Sequence, residues 1–128
     1  MKFLLDTHLL LRAVGFPKLL TADVSDLLCD PGNELLFSVA SVWEVAIKKS
    51  KGRPDFQVPA GLLRRTLLDD GYEELPILGP HTVAVDSLPP IHKDPFDRIL
   101  IAQAMVEGIT LLTSDAKMIR YPGPIRKV

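Results

Sequence analysis

The chain has 128 residues, 47% of them hydrophobic and 24% charged, which excludes a disordered tail, a collagen-like repeat or a charge-driven linker and fits one compact domain, 1–128. A net charge of −1 excludes a protein that grips nucleic acid by overall positive charge, so any such contact must use a local patch. The single cysteine, Cys29, excludes an internal disulfide framework and a zinc site of several thiolates, and points to a cytoplasmic setting.

The first apolar run, Phe3-Leu4-Leu5, predicts a short strand that ends at Asp6. Asp6, His8 and Arg12 interrupt the run too early for an export signal, and no segment approaches the roughly 20 apolar residues of a membrane span. Helices are expected over 8–13 and 21–29, followed by a second buried strand, Leu35-Leu36-Phe37, ending at Ser38. Ser41 with Glu44 three residues on has the form of a capping box opening the next helix, which places Glu44 in its first turn. The basic stretch 48–53 follows that helix and is a candidate phosphate-facing patch. Further on, a helix is expected over 59–70, a weaker strand over 75–78 and a helix over 81–87. Asp94-Pro95 opens a helix that ends near Gly108; the run Ile109-Thr110-Leu111-Leu112 is a strand leading into Thr113-Ser114-Asp115, and 125–127 is a last strand. Strands alternating with helices predict an α/β fold, a parallel sheet covered by helices on both faces.

In such sheets ligands bind beyond the carboxyl ends of the strands, and there this chain places acids: Asp6, Glu44, Asp97 and Asp115. Each has an ordinary reading as a helix cap or turn former. Jointly they suggest a site in which like charges require a cation, and carboxylate oxygens favour Mg²⁺ or Mn²⁺ over zinc or copper. Phosphodiester hydrolysis is the reaction such a site fits best.

The segments Leu4-Leu5-Asp6-Thr7-His8, Ser38 to Lys48 around Trp43-Glu44, and His92-Lys93-Asp94-Pro95-Phe96-Asp97-Arg98 to Ala104, followed by Leu112-Thr113-Ser114-Asp115, resemble PIN-domain ribonucleases. More narrowly they resemble the VapC-type toxins of toxin–antitoxin pairs. The resemblance implies a three-layer α/β/α sandwich with a central parallel sheet, a Mg²⁺- or Mn²⁺-dependent endoribonuclease acting on RNA, a homodimer and a cognate antitoxin. It also implies hydrolysis that leaves 5′-phosphate and 3′-hydroxyl ends. Carried over by position, Asp6 and Asp97 hold the metal most directly, while Glu44 and Asp115 complete its shell or orient the attacking water. His8 departs from the Asn or Ser common two residues after the first acid, and Asp94 adds a fifth carboxylate, read here as the N-cap beside the ligand Asp97.

Among the remaining residues, Ser38, Ser41, Thr113 and Ser114 lie near the predicted site. Arg98 is expected to pair with a carboxylate rather than a phosphate, Trp43 to sit in core or interface, and His81 and His92 to be surface or turn residues without a ligand role. The excess of apolar residues over 9–29 offers a dimer face or an antitoxin groove in addition to core. The competing readings are a catalytically silent RNA- or protein-binding module, which predicts loss of a central acid, and a phosphoryl-handling domain with Asp6 as nucleophile. The latter expects a second Asp where His8 stands, or an acidic pair ahead of a later Asp.

Overall fold

A computed structural model describes all 128 residues, 1–128. The first strand, β1 (Lys2–Leu5), lies at the centre of a five-stranded sheet whose neighbours are all parallel. On one side of it lie β2 (Glu34–Ser38) and then β3 (Glu73–Leu75); on the other lie β4 (Thr110–Thr113) and β5 (Ile125–Lys127). The unbroken apolar runs reflect burial on both faces, since successive side chains of a strand point to opposite sides. Leu4 faces a cluster with Leu36, Leu100, Ile101 and Leu111, whereas Phe3 and Leu5 face another with Leu10, Phe37, Leu63 and Leu112. Leu4, Leu5 and Leu111 are wholly buried, each a transfer gain of about 1.5–3 kcal/mol.

Helices α1 (Thr7–Gly15), α3 (Val39–Ser50) and α4 (Ala60–Asp69) close the Phe3 face, with α2 (Ala22–Cys29) at its margin. Helices α5 (Gly79–Val85) and α6 (Pro95–Glu107) close the Leu4 face, giving the expected three-layer α/β/α sandwich. No helix is long and apolar enough to cross a membrane. The chain builds outward from β1 through β2 to β3, then returns through α6 to the other flank at β4. That reversal makes the carboxyl ends of β1, β2 and β4 the point where a crevice forms.

Most elements lie where expected, and three boundaries differ for local reasons. The strand expected over 75–78 is Glu73–Leu75, paired with Leu36–Ser38, because Pro76 has no N–H to continue the ladder. The helix expected over 81–87 begins at Gly79, with Pro80 suited to its first turn. Ser41 is not a cap: strand passes to helix at Ser38, whose hydroxyl accepts from Ala40 N–H at 3.0 Å, so Glu44 lies in the second turn of α3. By contrast α6 starts and stops as the sequence predicts. Asp94 caps it, and Gly108 ends it in the left-handed region at φ 67°, its N–H returning to Ala104 O.

Candidate active site

Asp6 leaves β1 as the N-cap of α1, its Oδ1 accepting from Leu9 N–H at 2.9 Å. Its Oδ2 accepts from the Thr113 hydroxyl at the end of β4, 2.6 Å away, a contact set by the Leu5–Leu112 register of the two strands. The carboxyl is almost fully buried, and burial raises its pKa; the bonds from Thr113 and Leu9 oppose the shift without cancelling it. The next residue links this acid to the second. Thr7 Oγ1 donates to Glu44 Oε1 at 2.6 Å and lies 2.9 Å from Ser41 Oγ, all three groups buried.

Glu44 in turn opens a charged cluster. Lys48, one turn further along α3, pairs with Glu44 Oε2 and reaches Asp94 Oδ2 at 3.4 Å, its ammonium over the rings of Phe56 and Phe96 at 4.8 and 5.7 Å. Burial pulls the Lys48 pKa down, yet Glu44 and Asp94 outweigh it and hold the lysine firmly protonated. Asp94 Oδ1 accepts from Phe96 and Asp97 N–H at 2.8 and 3.3 Å. Asp97 stands at the third position of α6, bonded through Oδ2 to His92 Nε2 at 2.7 Å, while Oδ1 accepts no hydrogen bond. Burial, then the charges of Asp94 and Glu44, push the Asp97 carboxyl up to about 6 against the opposing bond from His92.

A metal fits this donor set. One ligand atom from each of His92, Asp94 and Asp97 lies within 4.8 Å of the other two, and with His92 Nε2 engaged by Asp97 Oδ2 the carboxylate oxygens remain as donors for an ion. The structure thus joins Asp6 to Glu44 through Thr7, and Glu44 to Asp94 and Asp97 through Lys48 and proximity of charge. Asp115 is half-buried beyond β4: its N–H donates to Thr113 Oγ1 at 3.0 Å, and its Oδ1 accepts from Lys117 N–H at 2.7 Å. The Thr113 hydroxyl thus links Asp115 to Asp6.

Several side chains lie elsewhere than expected. Lys48 turns into the acidic cluster instead of facing outward with 49–53. His92 contacts Asp97 directly; its signal was a histidine immediately ahead of a capped helix. His81 is fully buried, not on the surface: Nδ1 accepts from Leu78 N–H at 2.9 Å, which leaves Nε2 to donate to Glu107 at 2.8 Å. Arg98 pairs with no carboxylate and donates to loop carbonyls and the Tyr121 hydroxyl. Trp43 is exposed rather than core, its ring edge-on to Phe96 at 5.1 Å. Beside the site, His8 and Arg12 border a groove of about 630 Å³ whose apolar lining includes exposed Phe16 and Leu19. His8 itself leans on Asp55 at 3.5 Å and on the edge of Phe56.

The sequence matches the family model for the PIN domain over residues 3–124. A comparison with curated proteins finds no significant match. Among solved structures, the chain is similar to one in VapBC2 from Rickettsia felis bound to a DNA fragment from their promoter, with TM-score 0.75, 18% identity and coverage of 100% of this chain and 99% of that one. It is also similar to a chain in DNA-bound VapBC from Salmonella typhimurium, with TM-score 0.70, 15% identity and coverage of 99% and 98%. A third similarity is to VapBC-1 from nontypeable Haemophilus influenzae, with TM-score 0.59, 19% identity and coverage of 94% and 91%. At these identities the shared property is the fold, and the family match over residues 3–124 adds the lineage: the chain belongs to the PIN domain family.

Proposed function

We infer that the protein is a Mg²⁺- or Mn²⁺-dependent endoribonuclease and the toxin of a toxin–antitoxin pair. The observation that carries the reading is the gathering of carboxylates at one edge of the sheet: buried Asp6 and Glu44 linked through Thr7, and half-buried Asp94 and Asp97 at the start of α6, with Lys48 bridging Glu44 and Asp94. Asp6 and Asp97 would hold the ion, with Glu44 and Asp115 completing the site or orienting the attacking water. A divalent ion there supplies charge for the phosphate oxygens and a water more acidic than bulk. The residues of the chain prepare that site. Thr113 and Leu9 N–H orient Asp6, His92 orients Asp97, and Thr7 with Lys48 holds both oxygens of Glu44. No side-chain nucleophile is required.

The antitoxin partner is supported by the similar structures, which are VapBC assemblies, and by the apolar groove opening beside His8 and Arg12. We extend the same reading to a cytoplasmic setting and to a homodimer, the latter tested directly by light scattering of the purified protein. The function itself is tested by incubating total RNA with the protein in Mn²⁺, Mg²⁺ or EDTA, beside the Asp97→Asn variant. Metal-dependent fragments that vanish in the variant support the nuclease. RNA left intact by the wild type under every condition favours the silent binding module.

A further inference from the structure

The loop that carries His92 has little means of holding its own shape. Pro89 and Pro90 offer no N–H, and among residues 89–93 the one main-chain bond made within the loop is Ile91 N–H to Pro89 O at 2.9 Å. Two side chains from elsewhere supply what is missing. Tyr121, buried just beyond the 3-10 turn Met118–Arg120, places its hydroxyl on the backbone of His92: it accepts from His92 N–H at 2.7 Å and donates to His92 C=O at 3.0 Å. It also accepts from Arg98 Nη1 at 3.2 Å, so its one donor and two acceptor positions are all engaged.

Arg98, one residue after Asp97, spreads its guanidinium over four carbonyls. Nη1 reaches Pro89 O at 3.0 Å and His92 O at 3.5 Å; Nη2 reaches Val85 O at 3.3 Å and Leu88 O at 3.4 Å. Val85 is the last residue of α5, so the same cation also satisfies the carbonyl end of that helix. The result is a continuous connection from α5 and the segment before β5 to the imidazole of His92, and from there to Asp97 Oδ2 at 2.7 Å. Asp97 Oδ1 accepts no hydrogen bond.

We propose that Tyr121 and Arg98 are positioning residues that act through His92: by pinning both backbone groups of His92 they set its imidazole against one oxygen of Asp97 and leave the other oxygen free for a divalent cation. The proposal rests on the reading of Asp97 as a cation-holding acid and adds to it the device that orients that acid. A planar fork and a phenol are suited to the task, because each fixes direction as well as distance. Lysine at 98 would keep the charge and lose the fork.

The test is Mn²⁺ binding by calorimetry on the full chain, with melting in EDTA as a check of the fold and RNA cleavage followed separately. Tyr121→Phe keeps the ring in its packing and removes the hydroxyl; it is expected to weaken Mn²⁺ binding by on the order of ten-fold. His92→Ala should weaken it by at least as much, and His92→Gln, which retains an N–H donor for Asp97, should recover part of the loss. Should Tyr121→Phe fail to fold, Arg98→Lys reports on the same connection with a smaller loss in the same direction. The deciding comparison is the double variant. If Tyr121 acts through His92, Tyr121→Phe costs no further affinity once His92 is Ala; a merely structural tyrosine would cost the same in both backgrounds. Wild-type Mn²⁺ affinity in a folded Tyr121→Phe protein, equal losses in both backgrounds, or a wild type that binds no Mn²⁺ would each overturn the proposal. A wild type that binds Mn²⁺ but cuts no RNA overturns the nuclease reading instead, and the affinity series still decides the role of Tyr121.

Discussion

Helices α1 and α6 both start at the carboxyl edge of the sheet with an acid as N-cap, yet they divide the work differently. In α1 a single residue, Asp6, both caps the helix through Oδ1 and faces the site through the oxygen that Thr113 holds. In α6 the tasks are split: Asp94 caps, and Asp97, three residues on, turns to His92 and keeps one oxygen without a hydrogen bond. Capping therefore does not exhaust a carboxylate, since Asp6 caps with one oxygen and accepts from Thr113 with the other. Where the strand runs straight into the helix, one acid both caps and bonds the neighbouring strand; where a loop intervenes, Asp94 caps and pairs with Lys48, and the side chain of Asp97 is left clear of the cap.

The difference yields an ordered set of expectations. The largest concerns activity: Asp97→Asn should remove metal-dependent RNA cleavage while its melting temperature in EDTA stays level or rises, since a crowded, buried charge has been deleted. Asp6→Ala should remove cleavage as well but also cost about 2–4 kcal/mol in urea unfolding, from the lost cap and the stranded Thr113 hydroxyl. Equal stability losses at the two positions would erase the distinction between the helices. Asp94→Ala, the cap without the freed oxygen, should cost about 1 kcal/mol and reduce cleavage less than Asp97→Asn does. It also withdraws a negative charge from Asp97, whose pKa should fall when followed by carbon-13 NMR of the carboxyl.

The last expectation concerns the pH dependence. Burial and the neighbouring charges push the Asp97 carboxyl up to about 6 in the folded protein, above the ordinary aspartate range, so between the two values the native protein holds a proton that the unfolded chain has released. In EDTA the contribution of Asp97 to stability is full below about 4 and declines as the pH rises through about 6. Excess Mn²⁺, which favours the ionised native site, should flatten or reverse that decline. Melting temperature against pH, with and without Mn²⁺ and in Asp97→Asn, measures the slope; an identical slope in the variant would assign it to other groups.

Much of this arrangement is legible in the chain because it is local. The buried strands show as unbroken apolar runs, Gly108 marks the end of α6, and the Asp94-Pro95-x-Asp97 spacing separates cap from facing acid within one turn. Local pattern also misleads. Ser41 with Glu44 has the spacing of a capping box, but Ser38 caps α3 because β2 ends one residue before the helix begins, and Ser41 turns inward to Thr7. Lys48 belongs to a basic stretch by sequence and to the acidic cluster by its place one helical turn from Glu44, where desolvated carboxylates outbid the solvent for its ammonium.

By itself the amino-acid sequence determined the alternation of strand and helix, the three-layer parallel fold and the placement of acids at strand exits, since periodicity, caps and breakers act over a few residues. Only the tertiary structure decided which groups meet. Thr113 reaches Asp6 because β4 pairs with β1 in one register, and Tyr121 reaches His92, 29 positions away, because the chain returns past α6 after β4. Such contacts depend on the packing of whole elements across the sheet, and no local pattern of residues encodes them.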